Sequence, residues 1–148
     1  MQWKVSKKRP VDDAGIPADG LIIDTNKLSR RTFFADNWTN LAHNWIPCND
    51  HPSDKASVEF IVTAPDHYRV IGNGVLINES NLPDHLKVTL WREDLVLLTK
   101  VMVIGAADFA VHLLANVGGI PITSWVCPEN QARGFSQYSI AKKILPFF

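Results

Sequence analysis

The sequence predicts a mainly β fold, a β-sandwich or β-saddle with one C-terminal helix. Short runs with alternating side-chain character continue as far as Val126, whereas apolar residues at three- and four-residue spacing appear only after Gly134. Hydrophobic residues make up 46% of the 148 residues and charged residues 20%, which is the composition of a folding domain. Many short strands followed by one helix are typical of two packed β-layers with a helical appendix.

The clearest predicted strand is Ala56–Thr63. Its residues Val58, Phe60 and Val62 form one apolar face with the period of two that strands require. A Gly-Asn-Gly turn at residues 72–74 predicts a β-hairpin, because Asn-Gly adopts positive φ angles at low cost. The other predicted strands are Leu21–Asp24, Thr32–Ala35, Tyr68–Ile71, Val75–Asn78, Leu86–Trp91, Val101–Ile104 and Ile120–Val126.

The predicted helix lies at the C-terminus and ends at Pro146, which cannot continue a helix. Its apolar residues recur at three- and four-residue spacing, which is the pattern of one helical face. These residues are Phe135, Tyr138, Ala141 and Leu145, with Ile144 beside them.

Charge and hydropathy exclude several classes of function. The formal net charge is zero, so the chain has no long-range field to concentrate phosphates, and we expect no nucleic-acid partner. No run approaches the roughly 18 apolar residues of a membrane span, and Pro10 and two aspartates stand where a signal peptide would be apolar. The compartment stays open, as does the redox state of Cys48 and Cys127.

The sequence lacks the residue patterns of a zinc or nucleophilic active site. No His-Glu-x-x-His motif is present, and the densest group of ligand-type residues lacks the paired spacing of a zinc finger. Within that group, Cys48 is interpreted as a structural thiol, because cysteine is among the most often buried residue types. We expect no catalytic residue, metal ligand or cofactor in this chain. The group comprises His43, Cys48, Asp50 and His51.

The stretch from Ala42 to Lys55 reads Ala-His-Asn-Trp-Ile-Pro-Cys-Asn-Asp-His-Pro-Ser-Asp-Lys. It resembles the signature Ala-Arg-x-x-x-Pro-Cys-x-Asp-x-Pro-x-x-Lys of the N-terminal β-domain in the aminopeptidase N and leukotriene hydrolase family of zinc metallopeptidases (gluzincins). Asn73-Gly74 and Thr99–Phe109 are similar to later family segments, and Phe33–Trp38 is most like the bacterial branch. The resemblance covers residues 15–148 in order. The matching signature residues are Ala42, Pro47, Cys48, Asp50, Pro52 and Lys55.

The resemblance implies that the signature residues form the fold and carry no chemistry. Pro47 and Pro52 would bracket a tight passage between strands, because proline fixes φ. Asp50 would accept hydrogen bonds from nearby backbone N–H groups. Lys55 would pair with an acidic neighbour at the entrance of the following strand.

The resemblance also implies a substrate-facing position just upstream of the signature, where a polar family residue reaches toward the N-terminal end of a peptide. The corresponding residues are Asp36 and Trp38. A carboxylate at this place would attract the ammonium group of a peptide. The expected function is that of a non-catalytic domain that shapes the peptide-binding cleft of a parent zinc aminopeptidase.

The chain also departs from the family pattern. His43 replaces the arginine of the signature, and the zinc site and the Gly-x-Met-Glu-Asn motif of the family lie downstream of Phe148. The family domain begins earlier, so we expect a β-domain truncated at its start and inactive alone, with zinc only in the catalytic domain. The expected organisation is an N-terminal arm (1–14), the β-domain (15–130) and a helix leading toward the absent catalytic domain (131–148).

The expected partners are the parent catalytic domain, the peptide substrate of the parent enzyme, and a second copy joined through an exposed sheet edge. Two other interpretations stay open. One is a stand-alone β-sandwich protein-interaction module. The other is a carbohydrate-binding module in which Trp38, Trp45 and Trp91 stack on sugar rings.

Overall fold

The computed structural model describes residues 20–145, and the arm predicted at residues 1–14 lies outside them. Within the described residues nine strands form three antiparallel sheets, and two helical segments follow. The mainly β fold with a C-terminal helix is therefore confirmed. The strands are β1 (Leu21–Thr25), β2 (Arg31–Ala35), β3 (Lys55–Pro65), β4 (Arg69–Gly72), β5 (Val75–Leu82), β6 (Leu86–Leu98), β7 (Ile104–Ala107), β8 (Ala110–Val117) and β9 (Ile120–Val126). The helices are α1 (Gln131–Tyr138) and α2 (Ala141–Ile144).

Two of the sheets pack face to face as a sandwich. The four-stranded sheet has the order β1-β2-β7-β4, and the three-stranded sheet has the order β3-β6-β5. In the first sheet, Ala106 lies opposite both Phe33 and Val70 on the neighbouring strands. In the second sheet, Phe60 lies opposite Trp91. The indole N–H of Trp91 donates a 2.9 Å hydrogen bond to the carbonyl oxygen of Val70, so these two faces meet.

The hairpin of β8 and β9 and the helix α1 form a further layer. The ring of Phe109 makes edge-to-face contacts with Phe34 of the four-stranded sheet and with Trp125 of β9, each at 5.8 Å between ring centroids. Helix α1 packs against β9 at the buried Gly134, where a Cβ atom would collide with Val126. Glycine is therefore required for this close approach.

The predicted Gly-Asn-Gly hairpin is wrong. Strand β4 pairs with β7, whereas β5 pairs with β6, so the turn crosses from one sheet to the other. Asn73 holds the crossing, because its Nδ2 donates to the carbonyl oxygen of Val101 at 3.0 Å and its Oδ1 accepts from the N–H of Val103 at 2.7 Å. Gly74 has a φ of 81°, and a side chain there would meet the carbonyl of Arg92.

Two other predicted boundaries differ from the structure. The run Val101–Ile104 is not a strand, because it begins in a 3-10 turn at Thr99–Val101 and the backbone N–H of Val103 donates to the Asn73 side chain. Strand β7 starts only where this run ends. The predicted C-terminal helix is present as α1 and the shorter α2, which are separated at residues 139–140.

Strand β6 has the predicted amphipathic alternation, but it buries the polar side. Thr89 and Lys87 are buried, whereas the apolar residues that alternate with them are half-buried on the opposite face. The register with β3 explains this, because Val62 lies opposite Thr89 and Ala64 lies opposite Lys87 on the sandwich face. The charge of Lys87 is paired there, with Nζ 3.2 Å from Oε1 of Glu79.

Candidate functional site

The signature residues lie in the loop between β2 and β3, except Lys55, which begins β3. Ala42 is fully buried at the start of a short 3-10 turn, and only 7% of the Asp50 side chain is exposed. Two of the six signature residues are therefore interior residues. The others are the half-buried Cys48 and the exposed Pro47, Pro52 and Lys55.

Asp50 ties this loop to the connection between β6 and β7. Its Oδ1 accepts a 2.6 Å hydrogen bond from the hydroxyl of Thr99, and its Oδ2 lies 3.3 Å from the backbone nitrogen and 3.1 Å from Nδ1 of His43. Burial by itself raises the pKa of the Asp50 carboxyl, but the hydrogen bonds from Thr99 and His43 outweigh it and hold the pKa below its ordinary value. The carboxylate is therefore charged at neutral pH and accepts a backbone N–H as the sequence predicts.

Asn37 is a second anchor between the same segments. Its side chain is buried, and its Nδ2 donates to the carbonyl oxygens of Thr99 at 3.1 Å and Met102 at 2.7 Å. Its Oδ1 accepts a 2.8 Å hydrogen bond from the indole N–H of Trp45. One buried amide thus joins the segment after β2, the signature loop and the β6–β7 connection.

Three exposed or half-buried side chains stand above this anchor, and we call Asp36, Trp38 and Lys100 the surface cluster. The backbone N–H of Asp36 donates to the carbonyl of Gly20 at 2.7 Å, and the backbone N–H of Trp38 donates to Oδ1 of Asp36 at 3.3 Å. The Trp38 side chain is 69% exposed, and Nζ of Lys100 lies 5.1 Å from its ring centroid in a cation–π contact. The cluster presents a carboxylate, an indole and an ammonium group together.

Lys100 is the member of the surface cluster that the sequence analysis missed. It reaches Trp38 because its neighbour Thr99 is bonded to Asn37, which is 62 residues away along the chain. Neither spacing nor composition signals a contact of this kind. Asp36 and Trp38, in contrast, flank Asn37 directly, so the structure brings the two predicted substrate-facing residues together.

The two cysteines are free thiols. Burial, followed by the carboxylates of Asp50 and Asp54, raises the pKa of the Cys48 thiol. Burial and the carboxylate of Glu129 raise the pKa of the Cys127 thiol. A nucleophilic cysteine requires a lowered pKa, so both environments oppose thiolate chemistry.

Ion pairing of Lys55, metal ligands and membrane-spanning helices were also considered in the sequence. Among residues 20–145, Lys55 forms no ion pair, so its acidic partner stays a prediction. In the same range, no three His, Cys, Asp or Glu side chains are placed to hold a metal ion. No helix there has the length and apolar character needed to cross a membrane.

The three tryptophans do not form the sugar-stacking platform of the carbohydrate interpretation. Trp45 stacks on Phe60 with ring centroids 6.4 Å apart and an 11° angle between the planes. Trp91 is bonded to Val70 between the sheets. Trp38 alone among the three is well exposed, and its ring is covered on one side by Lys100.

Fold and site together define a β-sandwich domain in which a hydrogen-bonded signature loop supports a small polar and aromatic surface. The family model of the Peptidase M1 N-terminal domain matches residues 24–98, just over half of the chain, and this range contains both anchors. The chain therefore belongs to the Peptidase M1 N-terminal domain family, which confirms the resemblance to the aminopeptidase N group. A comparison with curated proteins gave no significant match.

Proposed function

We propose that this chain is the non-catalytic N-terminal domain of a zinc-dependent aminopeptidase and shapes the peptide-binding cleft of that enzyme. The observation that carries the proposal is the rigid support of the surface cluster. Asp36 and Trp38 flank the buried Asn37, whose amide is bonded to three groups from two other segments. A site held in this way can orient a peptide without changing shape.

The surface cluster suits the amino end of a peptide. The carboxylate of Asp36 would attract the free α-ammonium group, and the exposed face of Trp38 would contact the first side chain. Lys100 keeps the indole in place through its cation–π contact. The zinc, the general base and the oxyanion donors would come from the catalytic domain.

The C-terminal helices offer a surface for that catalytic domain. Phe135 of α1 is half-buried beside the ring of His112, with ring centroids 5.1 Å apart. The large apolar residues that follow in the sequence are exposed, and exposed apolar side chains are what a partner domain would cover. They are Tyr138, Ile140, Ile144 and Leu145.

Peptide binding is tested by NMR titration of the labelled chain with Leu-Gly-Gly and with its N-acetylated form. The free tripeptide should shift resonances around Asp36 and Trp38. The acetylated peptide should bind the unchanged protein about tenfold or more weakly, and the free peptide should bind the D36N variant with a similar loss, because each change removes one charged pair. Asp84→Asn is the matched control, since Asp84 is exposed in the turn before β6, whereas the cluster lies at the end of that strand. Equal binding of both peptides would remove Asp36 from the proposed role.

The assignment to a parent peptidase is tested separately. The reading frame after Phe148 should encode a His-Glu-x-x-His sequence, and the chain alone should release no product from leucine p-nitroanilide. A frame that continues into an unrelated domain would refute the cleft-shaping role and favour the interaction module.

A further inference from the structure

Strand β3 is the longest edge strand of the sandwich. It spans Lys55–Pro65 and pairs only with β6 in the three-stranded sheet. Its other side therefore presents a row of backbone N–H and C=O groups to which no described strand is bonded. An edge of this length is a template for pairing with another strand.

A groove of about 860 Å³ runs along this edge, and we call it the β3 groove. It is lined by β3 from Val58 to Pro65 on one side and by the inward face of the four-stranded sheet on the other. Its ends are formed by the signature loop and by the turn after β3. Its larger apolar side chains are Phe33, Trp45, Phe60, Tyr68 and Ile104.

The middle of β3 lacks the features that protect sheet edges. Lys55 and a shift in the register with β6 between Ala56 and Val58 protect one end, and Pro65 protects the other. The seven residues between, Val-Glu-Phe-Ile-Val-Thr-Ala, contain neither proline nor lysine. Strand β5, the opposite edge of the same sheet, carries Asn-Glu-Ser-Asn in its centre and a register shift of its own. The unprotected edge is therefore β3.

We propose that β3 pairs antiparallel with β3 of a second copy of this chain, about a two-fold axis at Phe60, so that two three-stranded sheets become one sheet of six. This surface is separate from the proposed peptide site, because the residues that define it lie on β3 and not in the surface cluster.

The charges of β3 fit this register. With the axis at Phe60, Glu59 lies opposite Ile61 of the second copy, and Lys55 lies opposite Pro65. No like charges are therefore opposed across the interface. Glu59 is also neutralised within its own chain, since its Oε2 accepts hydrogen bonds of 2.9 Å and 2.6 Å from Arg92.

The symmetry of the contact fits a dimer. A two-fold contact uses the same surface twice, so one exposed edge suffices for both copies.

The test measures the mass of the full chain by light scattering and sedimentation over a concentration series. We expect a monomer–dimer equilibrium. Ile61 is 65% exposed, so a charge there leaves the fold of the single chain intact, which circular dichroism verifies. Ile61→Glu faces Glu59 of the second copy at two places and should raise the dimer Kd about tenfold, whereas Ile61→Lys should leave it unchanged or lower it.

Val75→Glu is the matched control, since Val75 is 61% exposed on the opposite edge strand β5. It should leave the dimer Kd unchanged. Equal effects of Ile61→Glu and Val75→Glu, or of the Glu and Lys variants at residue 61, would overturn the β3 contact or its register. A full chain that is monomeric at all concentrations would overturn the proposal, as would larger open oligomers. If a chain without residues 1–19 dimerises and the full chain does not, that segment and not a second copy occupies the edge.

Discussion

Replacement of Asn37 by alanine tests whether one buried amide holds the candidate site together. The substitution removes the donor to the carbonyl oxygens of Thr99 and Met102 and the acceptor of the Trp45 indole N–H. The Thr99 carbonyl keeps one hydrogen bond after the substitution, because it also accepts the backbone N–H of Met102 at 3.1 Å. The Met102 carbonyl and the Trp45 N–H are the two groups that lose the partner described here.

The expected loss of stability follows from these two groups. A buried polar group without a partner costs about 1–3 kcal/mol, so the pair sums to roughly 2–6 kcal/mol. Trp45 is only half-buried, and water can reach part of it, which places the expected loss in the unfolding free energy at about 2–4 kcal/mol. A domain of ordinary stability, about 5–15 kcal/mol, would still fold.

The assay is urea unfolding at pH 7, followed by tryptophan fluorescence and circular dichroism and extrapolated to water. Asn81→Ala is the control, because Asn81 is exposed on β5, and we expect its change to stay within about 0.5 kcal/mol. A loss below about 1 kcal/mol for Asn37→Ala would show that the hydrogen bonds of Asn37 are replaced without cost and that Asn37 does not hold the surface cluster rigidly.

Three further changes test other parts of the argument. Because the pKa of Asp50 is lower in the folded than in the unfolded chain, its stabilising effect is complete above the unfolded value of about 3.9 and is lost as the pH falls through the folded value. Asp50→Asn should therefore cost most stability at neutral pH in urea titrations, and a pH-independent difference would contradict the charged network. Gly74→Ala should lower the unfolding free energy by more than about 1 kcal/mol in thermal unfolding, because φ is positive and the Arg92 carbonyl is in the way; an unchanged midpoint would refute this. Asp54→Asn should speed iodoacetamide labelling of Cys48, measured by mass spectrometry, because one carboxylate that raises its pKa is removed. An unchanged labelling rate would exclude that carboxylate as a cause.

The sequence predicted strands well where period two and turn residues agree. Ala56–Thr63 became the core of β3, and the run after Gly118-Gly119 coincides with β9. The alternation of polar and apolar residues, however, does not determine which face of a strand is buried. In β6 the register with β3 buries Thr89 and Lys87 and leaves the apolar residues half-buried.

The pairing of strands was harder to predict, since it depends on contacts between distant residues. Asn-Gly is a sound hairpin signal on local grounds, but the amide of Asn73 bonds to backbone groups 28 and 30 residues further on and carries the chain into the other sheet. The same limit applies to the site. Asp36 and Trp38 were found by their distance from the signature, while Lys100 depends on a bond across 62 residues.

Trp45 connects the two surfaces proposed for this domain. Its indole N–H is bonded to Asn37 beneath the surface cluster, and its ring stacks on Phe60 in the β3 groove. A rigid indole cannot move at one end without moving at the other, so a displacement of Phe60 by strand pairing would change the position of the Asn37 amide. The surface cluster and the edge of β3 can be occupied at the same time only if strand pairing leaves the stacked rings of Trp45 and Phe60 in place. The axis at Phe60 meets this condition, because strand pairing adds bonds to the backbone edge and leaves the Phe60 ring between the sheets, where it already packs against Gly72 and Trp91.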